Sequence, residues 1–395
     1  MCVRPHAARQ TAIIGTMACC RLATRDPGMS PPRQPRTEAT ERRGLLIFAL
    51  GIALAVWGYS DSAGRLTAQE PALHGLPLAV LSPWKLPREL PLPDELLWTD
   101  VLVRGEWRLQ QHSLYPRCRV LDPDRKVVVA GSRTACQQRW DELQKEGRLP
   151  VVRGRVLLTL HGLGRTGRHM EGLGEYLRDT EGYHWINFSY ASTRQPVDAH
   201  AEALAAVLAG LTDATSIDVV AHSLGNIVVR RYLGEANRLH PKWQIDGRLR
   251  RMVMLGPPNQ GARIAQVIAD VLRDNELARL LAGPSAWQLA RQWNDLAEQL
   301  AAPPFPFAVV AGGMGTPAGL NPLVPGDDDG VVAVSETRLD GMAEFCVVPC
   351  RHGALVDDPQ VRRFVSEFLK RPTLKSTPEM ADGLRKAASP EPMTE

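Results

Sequence analysis

Apolar and polar positions follow two rhythms across residues 150–372. Short runs of mostly consecutive apolar residues recur: Val156-Leu-Leu-Thr-Leu160, Trp185-Ile-Asn-Phe188, Ile217–Val220, Met252-Val-Met-Leu255, Phe307-Ala-Val-Val310 and Phe345-Cys-Val-Val348. Between them lie longer stretches with apolar residues at helical spacing: Arg168–Arg178, Val197–Leu211, Gly225–Glu235, Ala262–Leu272 and Pro359–Lys370. Runs without polar alternation predict strands buried on both faces, and strands that alternate with helices predict a mostly parallel sheet covered on both faces. The fold class expected is therefore α/β. The second helix is rich in Ala (Ala199, Ala201, Ala203, Ala205, Ala206), as tight packing requires, and its His200 reads as a solvated residue.

This pattern stops at both ends of the core. Residues 101–149 predict a small β-rich appendage: a strand at Trp107-Arg-Leu-Gln110, a hairpin over Arg119–Ala130 turning at Asp122-Pro-Asp-Arg125, then a helix from Thr134 to about Gly147. Its plainest role is packing against the sheet. Residues 60–100 are rich in Pro and Leu and read as an extended linker. Residues 373–395 are polar with scattered Pro and read as a disordered tail. Gly44–Tyr59 is an unbroken apolar run directly after Arg42-Arg43. It is slightly short of the roughly 20 residues of a usual transmembrane helix and slightly long for a signal-peptide core. A signal-anchor is the reading preferred, with the basic side inside and everything after Ser60 exported to the periplasmic or extracellular side. Cleavage after Ser62 or Gly64, giving a secreted protein, is the alternative. Residues 1–43 form a basic leader; Met29 would give a compact Arg-bearing start, so residues 1–28 are expected to be untranslated or unstructured.

Composition refines this picture in two places. Of 395 residues, 44% are hydrophobic and 23% charged, which is globular rather than disordered. The net charge of +4 belongs to the leader, where eight Lys/Arg face three Asp/Glu; the rest carries 39 against 40, which gives no basis for nucleic-acid binding. Four cysteines follow the apolar run: Cys118, Cys136, Cys346 and Cys350. In an exported domain an even count permits disulfides. Cys118 and Cys136 bracket the hairpin, so a Cys118–Cys136 bridge is expected, whereas Cys346 and Cys350 lie too far apart along an extended chain.

The chemistry is concentrated in Ser216-Ile-Asp-Val-Val-Ala-His-Ser-Leu-Gly-Asn226. A buried strand runs into a sharp turn, with Ser223 at its apex, and a helix begins at once. That is the geometry of a nucleophile elbow. Ala221 and Gly225 are the small residues the close approach of strand and helix requires. An ordinary helix-capping Ser is the competing reading. A Ser nucleophile needs a base and an orienting acid; in folds built on such an elbow these partners follow it along the chain, in the order Ser, Asp or Glu, His. Only His240 and His352 follow Ser223. His240 comes too soon after the elbow helix, whereas His352 sits on the loop after the last strand. The loop after the preceding strand holds Asp327-Asp328-Asp329-Gly330; Asp329 is the acid expected, with Asp328 and Asp340 as alternatives. The three carboxylates could instead bind calcium or form a solvated loop, but they lack the spacing of an EF-hand. Oxyanion donors are expected at the N–H groups of Leu224 and of Leu163 in Thr159-Leu-His-Gly-Leu-Gly164. His161 and His222 are assigned structural roles. Nothing in the chain calls for a metal or cofactor, and nothing speaks to oligomeric state.

These segments resemble the α/β-hydrolase superfamily, specifically bacterial lipase/esterase-like hydrolases related to secreted triacylglycerol lipases. The likeness rests on Leu160-His-Gly-Leu-Gly164, Ala221-His-Ser-Leu-Gly225, Met254-Leu-Gly-Pro-Pro-Asn-Gln-Gly261, Asp328-Asp-Gly-Val-Val332, Ser335-Glu-Thr-Arg-Leu339 and Arg351-His-Gly353, and covers residues 150–372. The first small residue of the elbow is Ala221, where Gly is usual. The resemblance implies an α/β-hydrolase fold and hydrolysis of carboxylic esters, acyl or lipid-like, through an acyl-enzyme. Residues 262–304, amphipathic around Val267, Val271, Leu277, Leu280, Leu281, Trp287, Leu289 and Trp293, would cover the site as a lid or simply join the core. Two other functions remain open: acyl transfer with the same triad, and an inactive, membrane-tethered binding module.

Overall fold

In a computed structural model of the chain, residues 94–272 and 276–371 are described. The basic leader, the apolar run Gly44–Tyr59, most of the linker and the tail lie outside the described residues. Among those that are described, no helix is long and apolar enough to cross a membrane.

Six parallel strands form the main sheet: β5 (Gly154–Leu160), β6 (His184–Phe188), β7 (Ala214–His222), β8 (Leu249–Leu255), β9 (Phe307–Gly312) and β10 (Glu344–Val348). Their order in space is β6-β5-β7-β8-β9-β10, with β7, the elbow strand, inside the sheet between β5 and β8. Successive side chains on each strand face opposite ways. Leu158, Val219, Met252 and Val309 therefore pack with α3 (Val197–Gly210) and α4 (Leu224–Ala236) on one face. Leu157, Val220, Val253 and Val310 meet α2 (Glu171–Glu181) and α8 (Pro359–Lys370) on the other. Each fully buried Leu, Ile or Val contributes about 1.5–3 kcal/mol, so two such faces hold the sheet rigid under the loops at its C-terminal edge. Helix α8 starts where a sequence rule says it should: Asp358 accepts from the Gln360 and Val361 N–H groups, and Pro359 occupies the first turn.

A second, antiparallel sheet has the order β1 (Trp98–Arg104), β2 (Trp107–His112), β3 (Cys118–Leu121), β4 (Val127–Gly131). Trp98–Asp100, at the end of the stretch read as linker, thus open a strand. Helix α1 (Arg133–Lys145), with Ser132 as its cap, packs on this sheet through Cys136, Trp140 and Leu143. The appendage is fastened to the main sheet by buried polar groups. Asp100 accepts from Arg108, from Gln110 and from the Ser189 N–H just beyond β6, while its own N–H donates to the Ser189 carbonyl.

Two expectations are corrected here. Cys118 and Cys136 do not form a disulfide; all four described cysteines are free thiols. Cys118 and Cys136 lie buried in the same apolar cluster under α1, serving as small packing residues, and burial raises the pKa of both thiols. His200 is fully buried, its ring 4.7 Å from that of Tyr190, because this turn of α3 faces the core rather than solvent.

After β8 the chain leaves the sheet into α5 (Arg263–Leu272), α6 (Glu276–Arg291) and α7 (Trp293–Ala297). Helix α6 is broken at Gly283-Pro284. Ser285 and Gln288 tie it to the loop before α3 through the Gln195 carbonyl and the Val197 N–H. Leu289 and Leu296 enter the main core, while Ile264 joins a small separate cluster with Val324 and Ala333.

Candidate active site

The elbow is built by strain. Ser223 has φ 53° and ψ −121°, a region that side chains other than Gly seldom occupy. Such a backbone costs about 1–3 kcal/mol and persists only where its surroundings enforce it. Three contacts do so. The Ser223 N–H donates to the Leu255 carbonyl at 2.9 Å, extending the β7–β8 ladder through the turn. Asn226, buried beneath, donates its side-chain amide to the Ser223 carbonyl at 3.1 Å and the Leu255 carbonyl at 3.3 Å. Gly225 lies so close to β5 that a Cβ there would stand 2.9 Å from both the His161 carbonyl oxygen and Leu160 Cβ. Ala221 is buried within the core cluster. Leu224 opens α4, so its N–H is among the free donors of a helix N-terminus beside Ser223.

Loops from three other strands meet the elbow at the same sheet edge. After β5, a Cβ on Gly162 would lie 3.0 Å from Ser223 Cβ, which puts the loop carrying Leu163 against the serine. After β10, His352 lies next to the elbow: His222 Nε2 donates to the His352 carbonyl at 2.9 Å, and the two rings stand 4.7 Å apart. Gly256, with φ +50°, ends β8 directly beneath the His352 ring; a Cβ there would be 3.0 Å from the ring atoms Cε1 and Nδ1. After β9 comes Asp329, buried, with one carboxylate oxygen 2.7 Å from His352 Nδ1. Its other oxygen accepts from the Val331 and Val332 N–H groups at 3.0 and 2.8 Å. The Asp329 carbonyl also accepts the His352 N–H at 2.9 Å, so acid and imidazole are joined twice.

Only one of the neighbouring carboxylates faces the imidazole. Asp328 is fully buried and accepts from the Leu320, Asn321 and Gly330 N–H groups. Asp327 accepts from Met314 and Gly315. The triplet is thus three loop caps pointing in different directions, and among the described residues no group of three or more metal-ligating side chains converges. Asp340 is exposed on a turn before β10. Among the described residues, the Ser223 hydroxyl and His352 Nε2 form no hydrogen bond.

The other imidazoles are neutral struts. His161 is fully buried, stacked on Tyr190 at 4.3 Å, with Nδ1 donating to the Gly162 carbonyl and Nε2 accepting the Tyr190 N–H; burial lowers its pKa to about 4. His222 is held well below its usual range by burial and by its neighbours His352 and His169. His169 escaped the sequence reading because nothing in its spacing marks it. Its ring meets His222 edge-on at 4.9 Å, and burial, with the charge of Arg165, lowers its pKa to about 3. Asn226 and Glu336 were also missed. Glu336 accepts from the Ala333 and Arg263 N–H groups and so clamps the start of α5 to the loop of Asp329; burial raises its carboxyl pKa.

A strained serine at a strand-to-helix turn inside a six-stranded parallel sheet, faced by a carboxylate–imidazole pair from the last two strands, is consistent with the α/β-hydrolase fold. Residues 125–278 match a family described only as a domain of unknown function, DUF7379. No curated protein matches the chain. Among solved structures, the chain is similar to the mature form of a Bacillus licheniformis lipase, at 19% identity over 54% of this chain and 90% of that one, TM-score 0.41. It is also similar to the phospholipase PlaB of Legionella pneumophila, at 16% identity over 59% of this chain and 63% of that one, TM-score 0.40. A Pyrococcus furiosus esterase is 16% identical over 72% of this chain and 94% of that one, TM-score 0.38.

Proposed function

We propose that the chain is an exported, membrane-anchored serine hydrolase that cleaves carboxylic esters, acyl or lipid-like, by way of an acyl-enzyme. The observation that carries this reading is the 2.7 Å hydrogen bond between buried Asp329 and His352 Nδ1 at the sheet edge where Ser223 is strained outward. That bond fixes the imidazole tautomer with its proton on Nδ1, leaving the Nε2 lone pair free to act as base. Ser223 Oγ attacks the ester carbonyl as His352 Nε2 takes its proton. The resulting oxyanion is met by the N–H groups of Leu224 and Leu163. Collapse breaks the bond to the alcohol oxygen, which leaves with the proton held on His352. Water then repeats the sequence on the acyl-enzyme, releasing acid and restoring Ser223. The anchor is the run Gly44–Tyr59 behind Arg42-Arg43.

A fluorophosphonate probe is expected to label the full-length protein, and Ser223→Ala to abolish labelling. His352→Ala should lower esterase turnover by about 10²–10⁴-fold. Wild-type protein that resists the probe, or near-normal turnover without His352, would remove the assignment. Recovery of the catalytic domain in the soluble fraction of cells would remove the anchor alone.

A further inference from the structure

Arg165 is the third residue after Gly162, on the loop that carries Leu163. Its backbone N–H donates to the Gly162 carbonyl at 3.3 Å, and the Gly164 N–H donates to Ser192 Oγ at 3.0 Å, so this turn is pinned. The side chain reaches across the site's rim: a Cβ on Gly353, the residue after His352, would stand 3.3 Å from Arg165 Nη2. The guanidinium is half-buried, and no carboxylate or hydrogen-bond acceptor among the described residues faces it. None of its nitrogens is sealed from solvent, so the group stands open at the rim, and its fork of donors matches a carboxylate or phosphate. Other partly buried arginines of this chain are spoken for: Arg108 by Asp100, Arg231 by Asp198 and Glu235, Arg250 by Asp218.

The position of Arg165 also says which end of a substrate it would meet. The alcohol of an ester departs toward the imidazole that protonates it, and Arg165 lies against the residue next to that imidazole. Resting on the hydrolase reading above, we infer that Arg165 is a specificity-determining residue that holds an anionic oxygen group, phosphate or carboxylate, on the alcohol portion of the ester. Exposed Arg351, on the same loop as His352, adds positive potential along the approach.

The test compares three esters of one acyl chain on the full-length protein in detergent: decanoyl monoglyceride (neutral), decanoyl lysophosphatidic acid (phosphate) and the decanoyl ester of glyceric acid (carboxylate). Wild type is expected to favour one or both acidic esters in kcat/KM, and added salt to erode that preference. Arg165→Gln should collapse the acidic-to-neutral ratio by about 10–100-fold, with Arg165→Lys keeping part of it. Arg165→Gln should melt close to wild type, since among the described residues the guanidinium has no ion pair to lose, and either variant can supply the ratio. A ratio that is the same in wild type and variants overturns the inference. So does inorganic phosphate that speeds cleavage of the neutral ester, because a free anion would then be the occupant. Fluorophosphonate labelling separates the two failures: a labelled protein without preference sinks only the role of Arg165, while an unlabelled, inactive one sinks the hydrolase reading first.

Discussion

Mild acid should unfold this protein through its histidines. Four imidazoles are held neutral in the folded chain. Burial lowers His161 to about 4, His169 to about 3 (with the charge of Arg165) and His200 to about 3, and burial together with His352 and His169 holds His222 well below its usual range. In the unfolded chain each titrates near 6.5. Above that value neither state carries these protons, so the histidines leave stability unchanged. As the pH falls through 6.5, the unfolded chain takes up protons that the folded chain refuses, for His161, His169 and His200 until the pH reaches roughly 4 to 3, and stability drops by about 1.4 kcal/mol per pH unit for each of these histidines. At about pH 5 the loss is roughly 2 kcal/mol for each of His161, His169 and His200, or roughly 6 kcal/mol for the three, with His222 adding in the same direction; that is comparable with the whole stability of a typical domain. Urea unfolding followed by far-UV circular dichroism, repeated at intervals between about pH 7.5 and 5, measures the slope directly. His200→Gln should flatten it by about one proton's worth, about 1.4 kcal/mol per pH unit. A slope below pH 6 no steeper than that of a single proton would refute the argument, since it would mean that these rings are hydrated and charged in the folded state.

Asp329→Asn keeps the shape of the acid but loses its charge and its demand for the Nδ1 proton; ester turnover should fall by about 10²–10⁴-fold with little change in melting, whereas Asp328→Asn should cost stability more than rate. Asp100→Ala leaves Arg108 buried without its carboxylate and should cost about 3–5 kcal/mol, read by urea unfolding, with proteolysis appearing first in β1–β4. Gly225→Val forces methyl groups into the His161 carbonyl and Leu160, and should cost about 1–3 kcal/mol while lowering kcat by displacing the loop of Leu163. If that variant melts and turns over like wild type, the close approach of α4 to β5 does not govern the site.

Elements that were legible in the sequence share one property: each is specified by its own residues. The six strands of the main sheet are runs whose neighbours on both faces must be apolar, and Met252-Val-Met-Leu255 or Phe307-Ala-Val-Val310 can be nothing else in a covered sheet. The elbow announces itself because small residues flank Ser223 on both sides of a strand-to-helix switch. Asp329 and His352 could be named as candidates because an elbow sets the order of its partners along the chain, and the structure brings their side chains together because the loops after adjacent parallel strands open at the same edge.

What escaped the sequence depends on which way a residue turns once two elements have met. His200 sits among Ala and Glu in α3, a context that reads as surface, yet its turn of helix lies under Tyr190. Cys118 and Cys136 flank a hairpin as a disulfide would, but α1 folds back over the sheet and uses both as core atoms. Asn226 and Glu336 look like ordinary polar residues until the elbow and the loop of Asp329 leave backbone groups that need partners. His169, His222 and Arg165 have no spacing in common; only the crossing of the β5 and β10 loops over the elbow brings them together. That crossing makes the site polar and buried at once. The imidazoles adapt to it by giving up their protons, whereas a guanidinium cannot, and so Arg165 keeps its charge at the rim, with no carboxylate paired to it among the described residues.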